Sequence, residues 1–159
     1  VGYGDGINKG IHYSSGEVLC WFHADLQFDP LDAIEIYKKY KSDLNDQEIM
    51  IKGRRINRSL FDSFFTFGMS LFTLLLFGKK INDINAQPKM FNRSFLKLVD
   101  SPPIDFSYDV YFLLIAAKNN IKIKEYPVKW YDRNAGIAKG GGSFKLKISL
   151  TLRTIRFIF

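Results

Sequence analysis

The sequence predicts an α/β domain, a mixed sheet flanked by helices, and three observations carry that prediction. Glu17 to Phe22 is rich in β-branched and aromatic side chains, and Asp29-Pro30 follows it as a helix start. Ile49-Met50-Ile51-Lys52-Gly53 is a short apolar run of the kind found in buried strands. Ile121 to Trp130 alternates apolar and polar residues directly after a helical pattern, so strands and helices interleave along the chain. With 159 residues, 47% of them hydrophobic, the chain suffices for one domain with a substantial core.

Taken in order, Val1 to Gly16 carries five glycines and reads as a loop entering a helix near Asp5 and ending at Gly16. It matches neither a dinucleotide fingerprint nor a phosphate loop, because the glycine spacing fails at Ile7 and no Gly-Lys-Ser/Thr follows. Cys20 lies in the first strand pattern and reads as a small buried residue; as the single cysteine it excludes an internal disulfide and a cysteine metal cluster. Leu31 to Tyr40 reads as a helix with Ile34, Ile36, Tyr37 and Tyr40 on an imperfect apolar face. Ser63 to Gly78 contains no charged residue and is crowded with phenylalanine and leucine, but it is shorter than the ~20 apolar residues a bilayer span needs. It reads as a helix partly in the core and partly against lipid. Ser101-Pro102-Pro103 breaks the chain, and Asp105 to Ala117 reads as a helix. Pro127 marks the strand 121–130 as an edge or a bend. From Ser143 to Phe159, Lys145, Lys147, Arg153 and Arg156 are interspersed with apolar residues, a basic amphipathic segment suited to an anionic membrane surface or to packing on its own domain.

Chemistry concentrates where strands end. In an open α/β sheet, ligands bind beyond the carboxyl ends of the strands. There Trp21-Phe22-His23-Ala24-Asp25-Leu26-Gln27-Phe28-Asp29-Pro30 places a carboxylate, Asp25, two residues from the amide oxygen of Gln27. Such a pair suits a hard divalent cation that keeps waters and shares a phosphate ligand. Equally, Asp25 and Asp29 read as turn-capping residues. Arg54, Arg55 and Arg58 follow the second strand, placed either to grip diphosphate oxygens or as ordinary surface arginines. Asp83 lies between an apolar helix and a short strand, as a cap or a ligand contact. Asp105 and Asp109, four apart on a helix, would share a face; the pair reads either as a general base with a raised pKa or as helix N-terminal acids. The formal charge of +7 favours an anionic partner.

These residues resemble a known family. His-Ala-Asp-Leu-Gln-Phe-Asp-Pro at 23–30 resembles the Asp-Ala-Asp-Leu-Gln-x-Asp-Pro signature of family 2 glycosyltransferases, and is most similar to the branch of dolichol-phosphate mannose synthase and related polyprenyl-phosphate enzymes. The first acid of the signature is His23 here. Lys52-Gly53-x-Arg55-x-x-Arg58, Asp83-Ile84-Asn85-Ala86-Gln87-Pro88-Lys89, Ile123-x-Glu125-x-Pro127-Val128 and Arg133-x-x-Gly136-x-x-Lys139 resemble further family elements, with Ala138 replacing a serine. The resemblance implies a GT-A-like, Rossmann-like fold lacking its nucleotide-base-binding first strands, with a partial catalytic domain over 1–142 and the basic amphipathic segment over 143–159. It implies Mg²⁺ or Mn²⁺ held by Asp25, Gln27 and His23. Donor phosphates fall to Arg55, Arg58, Arg133 and Lys139, sugar or acceptor contacts to Asp83 and Gln87, and catalytic roles to Asp25 and Asp109. The implied reaction is sugar transfer from a nucleotide-diphosphate donor to a polyprenyl phosphate, with inversion, by a cytoplasmic protein peripheral on the inner membrane face.

Other classes remain open at this level. Transfer to a sugar hydroxyl would require Asp109 as base, and a non-enzymatic membrane-surface protein would use the basic segment and the phenylalanine-rich run alone. Nucleic-acid binding is not expected, since no recognised module accompanies the charge.

Overall fold

A computed structural model describes residues 2–45, 48–56, 74, 78 and 81–131. Arg58, Arg133, Lys139, most of the apolar run over 63–78 and the basic segment over 143–159 lie outside the described residues.

Glycines open the first helix, α1 (Tyr3–Tyr13), because its start lies against the 101–107 loop: a Cβ on Gly4 would stand 2.3 Å from the Pro103 carbonyl oxygen. Strand β1 (Val18–Trp21) follows, then helix α2 (Pro30–Asn45). The Asp29 carboxylate accepts the Leu31 N–H at 2.9 Å, the cap expected of Asp-Pro at a helix start. The helix predicted to stop at Tyr40 leaves helical geometry there, at φ −115° and ψ 17°, but resumes to Asn45 so that Leu44 is buried beside Ile36.

Strands β2 (Ile49–Ile56) and β3 (Lys89–Asn92) come next, followed by a 3₁₀ helix (Arg93–Leu98), helix α3 (Tyr108–Lys118) and strand β4 (Lys122–Lys129). The four strands form one sheet in the order β1-β3-β2-β4. β3 is antiparallel to both neighbours, and β2 and β4 are parallel, so β1, β2 and β4 all run the same way. β4 pairs only with β2 among the described strands, in keeping with Pro127 at an edge.

Alternation along the strands divides two cores. Leu19, Trp21, Met50 and Phe91 face α1 and α3, where Tyr108, Phe112, Leu113 and Ala116 meet them. Ile49, Ile51 and Met90 face α2, against Ile36 and Leu44. Each such side chain contributes roughly 1.5–3 kcal/mol by leaving water. Trp21 sits at the centre of the first core, edge-on to Phe91, Tyr108 and Phe112 at centroid distances of 5.5, 5.7 and 5.0 Å. The result is a mixed α/β protein: among the described residues, a four-stranded mixed sheet with helices on both faces.

Other expectations change as well: α1 ends at Tyr13, short of Gly16. Cys20 is exposed rather than buried, because it points away from the Leu19/Trp21 core on an edge strand. The helix predicted from Asp105 begins at Tyr108 instead. Asp105 is drawn into the preceding turn, where its carboxylate accepts the Ser107 N–H at 2.9 Å and its carbonyl the Tyr108 N–H at 3.2 Å. The shared helical face of Asp105 and Asp109 therefore does not form.

Candidate functional site at the carboxyl edge of the sheet

Because β1, β2 and β4 run in one direction, their carboxyl ends share an edge, and β3 begins there. The 22–29 loop, the end of β2 at Arg55, Trp130-Tyr131 after β4 and the 81–88 segment before β3 all meet at this edge. Side-chain contacts bind them into two connected groups.

The first is built on Asp109. Its Oδ1 accepts from Lys89 Nζ at 2.6 Å, Gln87 Nε2 at 3.0 Å and Trp21 Nε1 at 3.3 Å, and its Oδ2 accepts from the Tyr3 hydroxyl at 2.8 Å. Gln87 Nε2 also donates to the Tyr3 oxygen at 3.1 Å, and His23 Nε2 lies 3.5 Å from that oxygen. Lys89, Gln87 and Asp109 are buried, and Gln87 Oε1 has no hydrogen-bond partner among the described residues. Burial pushes the Asp109 pKa up, but the Lys89 ammonium and the hydrogen-bond donors outweigh it and hold the carboxyl below its usual range. Asp109 is thus a buried, ionised carboxylate with its acceptor sites occupied, and it is a poor proton acceptor near neutral pH.

The second group joins two residues predicted for different tasks. Asp83, in left-handed backbone geometry at φ 45°, accepts the Arg55 backbone N–H at 2.8 Å and the Arg55 Nε at 2.9 and 3.1 Å on its two oxygens; Arg55 Nη2 donates to Oδ1 as well. The Arg55 guanidinium lies over the Trp130 ring, 5.0 Å from its centroid, and Trp130 stands edge-on to Phe28 at 5.1 Å.

The acidic loop is anchored between these groups. Asp25 Oδ1 accepts the Gln27 N–H at 3.3 Å. Gln27 Nε2 donates to the Tyr131 carbonyl at 3.3 Å, while the Tyr131 N–H donates to the Gln27 carbonyl at 3.0 Å. The His23 ring stacks on Tyr3 at 5.5 Å, and burial lowers its pKa, against the pull of Asp109 and Asp25 upward, which favours the neutral imidazole. As a cation-binding set, Asp25 is the one carboxylate of the three predicted ligands. Asp29 caps α2, and no group of three His, Cys, Asp or Glu side chains with metal-ligand placement occurs among the described residues. A hard cation held by one carboxylate would have to draw most of its ligands from water and phosphate oxygens.

Two buried lysines escaped the sequence reading. Lys52 and Lys89 sit opposite each other on β2 and β3, both fully buried. Lys52 Nζ donates to the carbonyls of Gly53 at 3.0 Å and Asp83 at 3.2 Å and lies 3.5 Å from Glu125. The available signal was a single lysine inside each apolar strand run, Ile-Met-Ile-Lys and Lys-Met-Phe. Burial lowers the Lys52 pKa to about 8, with Glu125 opposing. Between pH 8 and 10.5 the unfolded chain therefore binds the extra proton, and stability should rise with pH across that window. At roughly 1.4 kcal/mol per pH unit, the parent should gain about 3 kcal/mol over the interval relative to Lys52→Met, read by urea unfolding at each pH.

Of the predicted site residues that the structure describes, His23, Asp25, Gln27, Arg55, Asp83, Gln87 and Asp109 all belong to this edge. An open depression of 710 Å³ lined by Glu17, Asn45, Asn92 and Arg93 lies at the start of β1 and the end of β3, at the opposite edge. Fold and site together define a mixed α/β protein whose charged and aromatic groups gather where three parallel strands end. No family model matches the chain. It is similar to an uncharacterized protein, MJ1222, of Methanocaldococcus jannaschii, at 25% identity over 161 aligned positions that cover 96% of this chain and 66% of that protein. No helix among the described residues is long and apolar enough to cross a membrane.

Proposed function

We propose that this protein is a GT-A-like, family 2 glycosyltransferase that moves a sugar from a nucleotide-diphosphate donor to a polyprenyl phosphate, with inversion. The observation that supports this most is the gathering at one edge of the Asp25 loop, Arg55, Asp83 and Gln87, positions the family motifs assign to a single reaction. In the reaction, a phosphate oxygen of the acceptor attacks the anomeric carbon as the bond to the donor diphosphate breaks, and the electron pair leaves on the diphosphate oxygen. Charge grows on the leaving group, so positive groups placed there stabilise the transition state more than the ground state. Arg55 supplies such a group here, and Arg58, Arg133 and Lys139 are assigned to the same task on their motifs alone. Mg²⁺ or Mn²⁺ bound at Asp25, with Gln27 and His23 beside it, would neutralise the diphosphate.

The condition of Asp109 favours a phosphate acceptor over a sugar hydroxyl. A hydroxyl must lose a proton to a base, and Asp109 is buried, committed to four donors and held below the usual carboxylate range, so it takes up a proton poorly. A phosphate oxygen is already ionised at neutral pH and needs none. In this reading Asp109 positions Tyr3, Gln87 and Lys89 and does not touch the proton balance. The +7 charge supports peripheral association with the anionic inner face of a membrane, where the acceptor resides.

The test is transfer from nucleotide sugars to polyprenyl phosphate by the intact protein with Mn²⁺ or Mg²⁺, beside Asp25→Ala. The substitution should lower kcat by about a hundredfold or more. Turnover that is unchanged would remove Asp25 from the mechanism.

A further inference from the structure

Arg55 and Asp83 were expected to act separately, one on phosphate and one on sugar, yet they hold each other. The Arg55 backbone N–H, Nε and Nη2 all donate to Asp83. Nη1 donates to no described residue. One face of the guanidinium is covered by Trp130, so the plane of the group is set as well as its direction. The pair is largely shielded, with the side chains of Arg55 and Asp83 14% and 5% exposed.

We propose that Asp83 and Trp130 are positioning residues that present the free edge of Arg55 to the donor diphosphate. This rests on the glycosyl-transfer reading. A flexible arginine loses side-chain freedom when it grips an anion, and one already fixed by a carboxylate on one edge and a ring on one face has lost it beforehand. Trp130 also stands edge-on to Phe28, which joins this arrangement to the loop that carries Asp25. The choice of residue types fits. A lysine could not be held by edge and face at once, and aspartate reaches both Nε and the backbone N–H of Arg55 from one carboxylate.

The alternative role for Asp83, simple neutralisation of a buried cation, predicts the opposite sign. Removing a negative charge beside Arg55 would then strengthen anion binding. The experiment is calorimetric binding of inorganic pyrophosphate to the parent, Asp83→Asn, Trp130→Phe and Trp130→Leu, each checked for folding by thermal unfolding, alongside sugar-transfer assays. Asp83→Asn and Trp130→Leu should each weaken pyrophosphate binding by about tenfold, with Trp130→Phe close to the parent because it keeps an aromatic face. In transfer assays the two weak binders should raise the donor KM more than they lower kcat. Pyrophosphate bound by Asp83→Asn as tightly as by the parent, or more tightly, would overturn the inference. So would equal affinities for Trp130→Leu and Trp130→Phe, or a parent that binds no pyrophosphate. The expected binding pattern without sugar transfer to any acceptor would leave the cradle standing and remove the glycosyl-transfer reading.

Discussion

Asp109→Leu should destabilise the fold by about 3–5 kcal/mol, the loss typical when one member of a buried ion pair is removed. The cost arises from what remains. Lys89, fully buried, would keep only the Ala86 carbonyl at 3.2 Å as a described hydrogen-bond partner, and the Trp21 N–H and Tyr3 hydroxyl would lose their acceptor. Burial already lowers the Lys89 pKa against the pull of Asp109, so without the carboxylate the amine should deprotonate rather than stay charged. Lys89→Met added to Asp109→Leu should recover most of the loss, since a well-packed apolar pair is often as stable as a buried ionic one. Urea unfolding of the parent, single and double variants forms the cycle. The acid limb offers an independent check. With a folded pKa below the unfolded one, Asp109 contributes stability fully above about pH 4, lost as pH falls through the depressed folded value. The double variant should lack that part of the acid transition.

Gly53→Ala should be comparably severe, for reasons of space rather than charge. An alanine Cβ would stand 2.0 Å from the Gln87 carbonyl oxygen and 2.6 Å from its carbon, both backbone atoms that cannot rotate away. The two segments are held at this distance by the Gly53 N–H, which donates to the Pro88 carbonyl at 2.8 Å. Either that bond breaks or the 83–88 loop moves, taking Asp83 and Gln87 with it. Overpacking a core by a methyl ordinarily costs about 1–3 kcal/mol. With backbone on both sides the loss should reach or exceed about 3 kcal/mol, measured as a lowered urea midpoint at an unchanged slope. A Gly53→Ala protein that unfolds like the parent would mean the loop is less closely seated against β2 than the structure has it.

The strands and helices around the site were legible in the sequence because each depends on local pattern. Alternation placed β4, an apolar run placed β2, and Asp29-Pro30 placed the start of α2. His23, Asp25 and Gln27 follow β1 as read, but Arg54 and Arg55, read as lying past the second strand, belong to the last part of its ladder, because β2 runs on to Ile56. Where local pattern and local hydrogen bonding competed, the reading slipped: the Asp105 side chain closes a turn and delays α3 to Tyr108.

Pairings between distant residues belong to the tertiary structure alone. No pattern along the chain says that Asp83 will close on Arg55, that Lys89 will find Asp109, or that Trp130 will lie against a guanidinium. These depend on β3 entering the sheet antiparallel between β1 and β2, which brings the 81–88 segment down onto the ends of its neighbours. Residue type and spacing set which chemistry the chain can offer at that edge. Register and burial decide which charges meet, because an ion pair out of water is tolerated only where the fold supplies both partners within hydrogen-bond distance.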